Sequence, residues 1–227
     1  PSLNRNTPAI QLTQIDEGDI PDDRIYTTGH SFVTLEWNAG DLETNNDRLQ
    51  SQYSIDGTWS ELLKQKTVTI GLANGEHQFS VRSIDHHFNT SAVDSLTIIV
   101  KTEAPYLTVL YPTNGEVVSR EFYIKGRIED DDFDAFQLFI SDTELTTAPI
   151  LENDPNPELP YQLIFEASAK PRTETLAKLN TADLDDGDYR IWLTAQDQLQ
   201  HSSVFKVMIR TDNTPPVVKI SLPKANQ

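Results

Sequence analysis

Four aspartates, Asp130, Asp131, Asp132 and Asp134, form the densest group of side chains that could do chemistry in this chain. Hard cations such as Ca²⁺ take about six to eight oxygen ligands, which carboxylates and carbonyl groups supply. The group therefore favours a calcium site, with a solvated acidic loop as the plainer alternative. The EF-hand spacing of calcium ligands is not found in the sequence.

Catalytic motifs are missing from the sequence. It contains no Gly-x-Ser-x-Gly elbow, no His-Glu-x-x-His pair, no glycine-rich phosphate loop and no cysteine. Paired carboxylates of the kind that hydrolyse glycosides are not excluded by composition. We nevertheless predict that the chain is not an enzyme, and we expect no certain cofactor beyond the candidate Ca²⁺.

The charge of the chain limits the partners that it could bind. Eighteen Lys and Arg stand against 35 Asp and Glu, which gives a formal net charge of −17. Such a surface repels phosphate backbones and anionic membranes, and no apolar stretch approaches the ~20 residues of a membrane span. We therefore predict no nucleic-acid binding and no direct membrane insertion.

A repeated segment predicts the domain organisation. Leu72 to Asp85 recurs as Leu184 to Asp197, with the same Leu-x-x-Gly start, the same alternation and the same final aspartate. An offset of 112 residues is about one domain length, so the segment indicates tandem modules. We predict modules at residues 1–103 and 104–213, followed by 214–227 as a linker and the start of a further module. A chain that begins and ends in this way is expected to be a piece of a longer protein.

Alternation of apolar and polar residues predicts strands throughout. In Ser31–Trp37, for example, Val33, Leu35 and Trp37 share one face. About seven short strands separated by turn signals are typical of an antiparallel sandwich. We therefore predict an all-β chain of two tandem antiparallel sandwiches plus the first strand of a third module, Val217–Leu222. The second module carries a long proline-rich insertion, residues 143–171, with a short strand at Tyr161–Phe165.

Particular segments resemble known families of β-sandwich. The first module, with its Asp85-x-x-x-Asn89 loop, is similar to the fibronectin type III-like module of periplasmic sensor regions of bacterial two-component systems. It departs from that pattern at His77, where tyrosine is usual. In the second module, Leu184-Asp-Asp-Gly187-Asp-Tyr189 resembles the tyrosine corner of immunoglobulin-like domains, in which the phenol bonds nearby backbone.

The resemblance implies where the acidic groups would lie. In an immunoglobulin topology, the loops after the second and sixth strands share a pole with the incoming linker. Asp197 and Glu103 would then converge with Asp130, Asp131 and Asp132 on one Ca²⁺. Trp192 has outward parity, so we expect it either to pack on the 143–171 insertion or to mark a protein or sugar contact.

These inferences combine into one functional expectation. We expect a non-catalytic spacer and adhesion-type protein-interaction module of a larger bacterial protein, in an extracytoplasmic position: secreted, at the cell surface or periplasmic. Two alternatives stay open, a ligand-sensing or signal-transmitting segment of a membrane receptor and an accessory carbohydrate-binding module of a secreted hydrolase. The expected partners are neighbouring domains of the same polypeptide, and another protein or a glycan.

Overall fold

A computed structural model describes residues 7–42, 48–145, 149, 161–171 and 173–219. The chain is all-β and divides into two compact units, residues 1–103 and 104–227. In the described ranges, no helix is long and apolar enough to cross a membrane.

The first unit consists of two packed sheets. Its strands are β1 (Ala9–Ile15), β2 (Gly18–Asp19), β3 (Ile25–Thr28), β4 (Phe32–Gly40), β5 (Gln50–Ile55), β6 (Thr58–Trp59), β7 (Thr67–Gly71), β8 (Gly75–Ile84) and β9 (Asp94–Val100). One sheet has the order β2-β1-β4-β7 and the other the order β3-β9-β8-β5-β6.

The core of the first unit follows from alternation along the strands. Val33 and Leu35 of β4 are fully buried and Trp37 is 1% exposed, while Phe79 and Val81 of β8 meet them from the other sheet. Burying each side chain of this size stabilises the fold by about 1.5–3 kcal/mol. The predicted alternation along β4 is confirmed, and the residues between the buried ones face outward from the sheet.

The second unit is also a two-sheet sandwich. Its strands are β10 (Tyr106–Tyr111), β11 (Glu116–Val118), β12 (Glu121–Glu129), β13 (Phe133–Ser141), β14 (Gln162–Ala167), β15 (Thr175–Asn180), β16 (Gly187–Asp197) and β17 (Ser202–Thr211). The sheets have the orders β10-β12-β15 and β11-β17-β16-β13-β14.

One glycine in the second unit is required by close packing. A Cβ atom on Gly126 of β12 would lie 2.4 Å from the carbonyl oxygen of Thr108 and 2.8 Å from Leu176 Cδ1. A real Cβ does not tolerate such contacts with backbone, so a side chain here would push β10 away from β12.

The structure adds features that alternation did not predict. Strands β2, β3, β6, β11 and β15 were not predicted. Strand β3 pairs with β9, and β11 with β17, in parallel rather than antiparallel fashion. The predicted strand at Tyr161–Phe165 is confirmed as β14. Of the predicted strand at 217–222, residues 217–219 carry no strand and Val217 and Val218 are exposed, and the remainder lies outside the described residues.

Candidate functional site

The repeated segment ends in the same turn in both units. Just after β8, the Asp85 amide donates to the Asn89 carbonyl oxygen at 3.0 Å. At the end of β16, the Asp197 amide donates to the His201 carbonyl oxygen at 3.0 Å. The residue before the acceptor has a positive φ in each turn, 64° at Phe88 and 70° at Gln200. The two turns are therefore structural copies, 112 residues apart.

The carboxylate of Asp85 stabilises the first copy from inside. Its Oδ1 accepts from the amides of His87 and Asn89, both at 2.8 Å, and its Oδ2 accepts from Asn89 Nδ2 at 2.7 Å. Burial disfavours the charged form, but the hydrogen bonds from Asn89 and His87 outweigh it, so the pKa of Asp85 lies below its ordinary value. A side chain engaged in this way has a structural role.

The carboxylate of Asp197 repeats this arrangement with a different partner. Its Oδ1 accepts from the His201 amide at 2.8 Å, and its Oδ2 lies 2.9 Å from His201 Nδ1. Asp197 is 3% exposed. An imidazole therefore occupies the place that the Asn89 amide occupies in the first unit.

Two of the aspartates at 130–132, Asp130 and Asp132, lie near Asp197. Phe133 pairs with Asp197 across β13 and β16, and the Gln198 amide donates to the Asp132 carbonyl oxygen at 2.8 Å. Partial burial raises the pKa of Asp130, and the negative charges of Asp197 and Asp132 act in the same direction. The structure thus brings Asp130, Asp132 and Asp197 into one electrostatic neighbourhood.

This neighbourhood does not form a complete set of metal ligands. In the part of the chain that the structure describes, no group of three or more His, Asp or Glu side chains is arranged to hold a metal ion. Both Asp197 oxygens already bond His201, and Asp130 Oδ1 accepts from the Asp132 amide at 2.7 Å. Glu103 belongs to the first unit, where it accepts a long bond from Asn74 Nδ2 at 3.4 Å. The calcium site with Asp131 and Glu103 among its ligands stays a prediction.

Trp192 lies on the outer face of its sheet, as its parity predicted, but it is only 6% exposed. Its Nε1 donates to Ser141 Oγ at 3.4 Å and Lys206 Nζ lies 5.1 Å from its ring centre. Two described parts of the predicted insertion contact the same face. Glu144 accepts from Lys206 and from Arg190, and Tyr161 packs edge-on against Phe139, the cross-strand partner of Trp192. These neighbours leave Trp192 little free surface for a ligand. Its role in a protein or sugar contact stays a prediction.

The start of the repeated segment holds a second pair of equivalent residues. His77 Nδ1 lies 2.8 Å from Asp56 Oδ2 and its Nε2 lies 3.0 Å from the Ala73 carbonyl oxygen. The hydrogen bond with Asp56, followed by that with Ala73, raises the pKa of His77. At the equivalent position of the second unit, burial raises the pKa of Tyr189 and a backbone hydrogen bond from Asp185 opposes it. The tyrosine corner at Tyr189 stays a prediction, and His77 lies at the equivalent position of the first unit.

A cluster on the first unit was missed by sequence reasoning. The guanidinium carbon of Arg82 lies 4.1 Å from the centre of the Trp59 ring, and Arg82 Nε and Nη2 both donate to Gln52 Oε1, at 3.2 and 2.8 Å. The outward parity of Arg82 in β8 and the Asp56-Gly57 turn before Trp59 are the signals that could have found it. They needed the register of β5, β6 and β8, which alternation alone does not supply.

The chain matches no protein-family model and no curated protein. Among solved structures it is similar to fibronectin(III)-like modules of CbhA from Clostridium thermocellum, with 21% identity and a TM-score of 0.33 over 41% of this chain and 97% of that chain. The extracellular domain of a putative hybrid two-component system from B. thetaiotaomicron has 21% identity and a TM-score of 0.36, over 41% of this chain and 15% of that chain. Protein SGBP-B of a Bacteroides ovatus mixed-linkage glucan utilization locus, solved with a mixed-linkage heptasaccharide, has 15% identity and a TM-score of 0.33. This similarity covers 91% of this chain and 48% of that chain.

These similarities concern the fold, and the chain spans less than half the length of the last two proteins. The sheet orders and the two separate cores carry the assignment by themselves. The chain is an all-β protein of two tandem sandwiches of the fibronectin type III-like or immunoglobulin-like kind.

Proposed function

We propose that the chain is a non-catalytic spacer and interaction segment in the extracytoplasmic part of a larger bacterial protein. The observation that carries the proposal is the internal use of the repeated aspartates. Asp85 and Asp197 are the buried carboxylates of the repeat, and both oxygens of each are bonded within their own turn. Carboxylates that bond the backbone and side chains of their own turn stabilise a scaffold, which supports a structural role for them.

The separate cores support the spacer role. The first unit is built around Trp37 and Phe79, and the second around Phe136, Leu138 and Leu193. Each unit therefore has its own hydrophobic core, as is usual for the domains of a multidomain chain. The net charge of −17 favours solubility of the two units.

The accessory carbohydrate-binding alternative is favoured by one specific feature. The outer face of the sheet β3-β9-β8-β5-β6 displays hydroxyl and amide side chains together with Trp59 and Arg82. Such groups suit the hydroxyls of a sugar chain. A ligand-sensing segment of a receptor would use the same face. Identifying the ligand of this face is therefore the first step toward identifying the kind of protein to which the chain belongs.

The extracytoplasmic placement can be tested in the source cell. The parent protein would carry an epitope tag in the exposed Asp56-Gly57 turn, and protease would be added to intact cells, to cells with a permeabilised outer layer and to lysates. We expect cleavage of the tag before the cytoplasmic membrane is opened, with a cytoplasmic marker protein uncleaved in the same samples. A tag that is cleaved only together with that marker would contradict the proposal.

A further inference from the structure

The outer face of the five-stranded sheet in the first unit differs in chemistry from the acidic chain around it. Its side chains alternate along the strands with Tyr53, Phe79 and Leu96, which face the core. The accessible central members are amides, hydroxyls, one indole and one guanidinium: Gln52, Trp59, Gln78, Ser80, Arg82, Ser95 and Thr97. Ser54, the partner of Trp59 in β6, has the same parity but is only 2% exposed. No carboxylate stands among these central members, although Glu76 has the same outward parity nearer the start of β8.

The polar side chains of this face are tied to one another. Ser80 Oγ lies 3.0 Å from Ser95 Oγ, Thr97 Oγ1 donates to Gln78 Oε1 at 3.4 Å, and Gln52 Nε2 donates to the Ser60 carbonyl oxygen at 2.8 Å. Side chains fixed before binding lose less conformational entropy when a ligand arrives. The face is therefore organised before any ligand is bound.

Arg82 is the charged centre of the face. Its stack on Trp59 and its two bonds to Gln52 fix the plane of the guanidinium. An arginine has five N–H donors, so three remain without a protein acceptor among the described residues. Glu61, next to Ser60 along the chain, makes no ion pair with it, whereas Arg24, Arg127 and Arg190 each pair with a carboxylate.

We propose that this face binds an acidic polysaccharide, with the carboxylate of a uronic acid residue on Arg82 and sugar hydroxyls on the serine and glutamine side chains around it. A fixed guanidinium with free in-plane donors matches a carboxylate in geometry and charge. The surrounding hydroxyls and amides match a sugar chain better than a peptide, which would need a free strand edge or apolar pockets. The inference rests on the interaction role proposed above and names the ligand class of that role.

The test is calorimetric titration of the whole chain with hexagalacturonate at near-physiological salt, where screening limits the repulsion by distant charges to within about 8 Å. Two variants that each replace an arginine by a neutral side chain are compared, Arg82→Gln and Arg210→Gln. Arg210 is exposed on the other unit and has only a 4.0 Å contact with Asp188, so it controls for the loss of one positive charge. We expect Arg82→Gln to weaken binding about tenfold or more and Arg210→Gln to change it less than about twofold.

Further arms separate the alternatives. Arg82→Lys keeps the charge without the planar fork and should weaken binding to an intermediate degree, and thermal melting verifies that each variant is folded. Cellohexaose, which has no carboxylate, should bind more weakly than hexagalacturonate. The proposal is overturned by absence of hexagalacturonate binding at millimolar concentration, by equal weakening in the Arg82 and Arg210 variants, or by tighter binding of hexaglutamate, which would indicate an acidic peptide. None of these outcomes alters the protease accessibility of the parent protein, so failure here is distinct from failure of the extracytoplasmic role.

Discussion

The two units use the same backbone turn at the end of the repeated segment but close it with different side chains. In the first unit an amide, Asn89 Nδ2, bonds the buried carboxylate; in the second an imidazole, His201 Nδ1, takes that place. At the start of the segment the exchange is reversed, because His77 stands where the second unit has Tyr189. The imidazole that bonds a carboxylate therefore lies at the start of the segment in the first unit and just after its end in the second.

This exchange shows which part of the repeat is invariant in physical terms. The carboxylate is needed in both copies because it satisfies backbone amides that would otherwise be buried without an acceptor. The partner on its other oxygen only has to present an N–H at the right place. An amide and an imidazole can each fill this position, and they differ because only the imidazole titrates near neutral pH.

The largest expected effect comes from removing either carboxylate. Asp85→Ala and Asp197→Ala each leave buried donors unsatisfied, so each should lower the free energy of unfolding of its own unit by about 3 kcal/mol. The exposed Asp188→Ala, with 73% of its side chain free, should cost less than about 0.5 kcal/mol. Urea unfolding would measure these changes, and a loss below about 1 kcal/mol in either turn would contradict the equivalence of the two copies.

Calcium would distinguish the two turns, because only the Asp197 turn has Asp130 and Asp132 beside it. If the predicted site is real, calcium at about tenfold its dissociation constant should stabilise the second unit by about 1.4 kcal/mol. The melting temperature would be compared with and without a chelator, in the wild type and in Asp130→Asn. Identical melting curves in all four samples would refute the calcium prediction.

His77 predicts a dependence of the stability of the first unit on pH. The pKa of His77 is raised in the folded state by Asp56 and the Ala73 carbonyl oxygen. Its contribution is therefore full below the unfolded value of about 6.5 and is lost as pH rises through the folded pKa. We expect an effect below about 1 kcal/mol, and the slope should vanish in His77→Tyr. An unchanged slope in that variant would show that another group is responsible.

The smallest expected effect tests the exchange itself. His201→Asn should change the stability of the second unit by less than about 0.5 kcal/mol at pH 7, because Asn89 makes the equivalent bond in the first unit. His201→Ala removes the donor and should cost about 1 kcal/mol. Equal losses in both variants would mean that the imidazole has a role that the amide cannot fill.

Sequence reasoning could predict the parts of the fold that depend on local alternation. The faces of β4 and β16 follow from the spacing of Val33, Leu35 and Trp37 and of Ile191 and Leu193. The short edge strands escaped prediction because their pairing is set by distant partners. Val117, for example, pairs in parallel with Arg210, and nothing in its neighbours indicates that contact.

The candidate sites show the same limit. Equivalence of Asp85 and Asp197 could be predicted, since both close the repeated segment, and so could the approach of Asp130 to Asp197. The internal use of both carboxylates could not, because it depends on backbone amides that face inward only after a residue with positive φ. The stack of Arg82 on Trp59 depends likewise on the register between three strands.

Hydrogen exchange at the two turns tests the central claim most directly. The amides of Asn89 and His201 donate to Asp85 and Asp197, so both should exchange slowly in the wild type. Of these two amides, only that of Asn89 should lose protection in Asp85→Ala, and only that of His201 in Asp197→Ala. Rapid exchange of both amides in the wild type would contradict the claim that the repeated aspartates are internal braces of the two sandwiches.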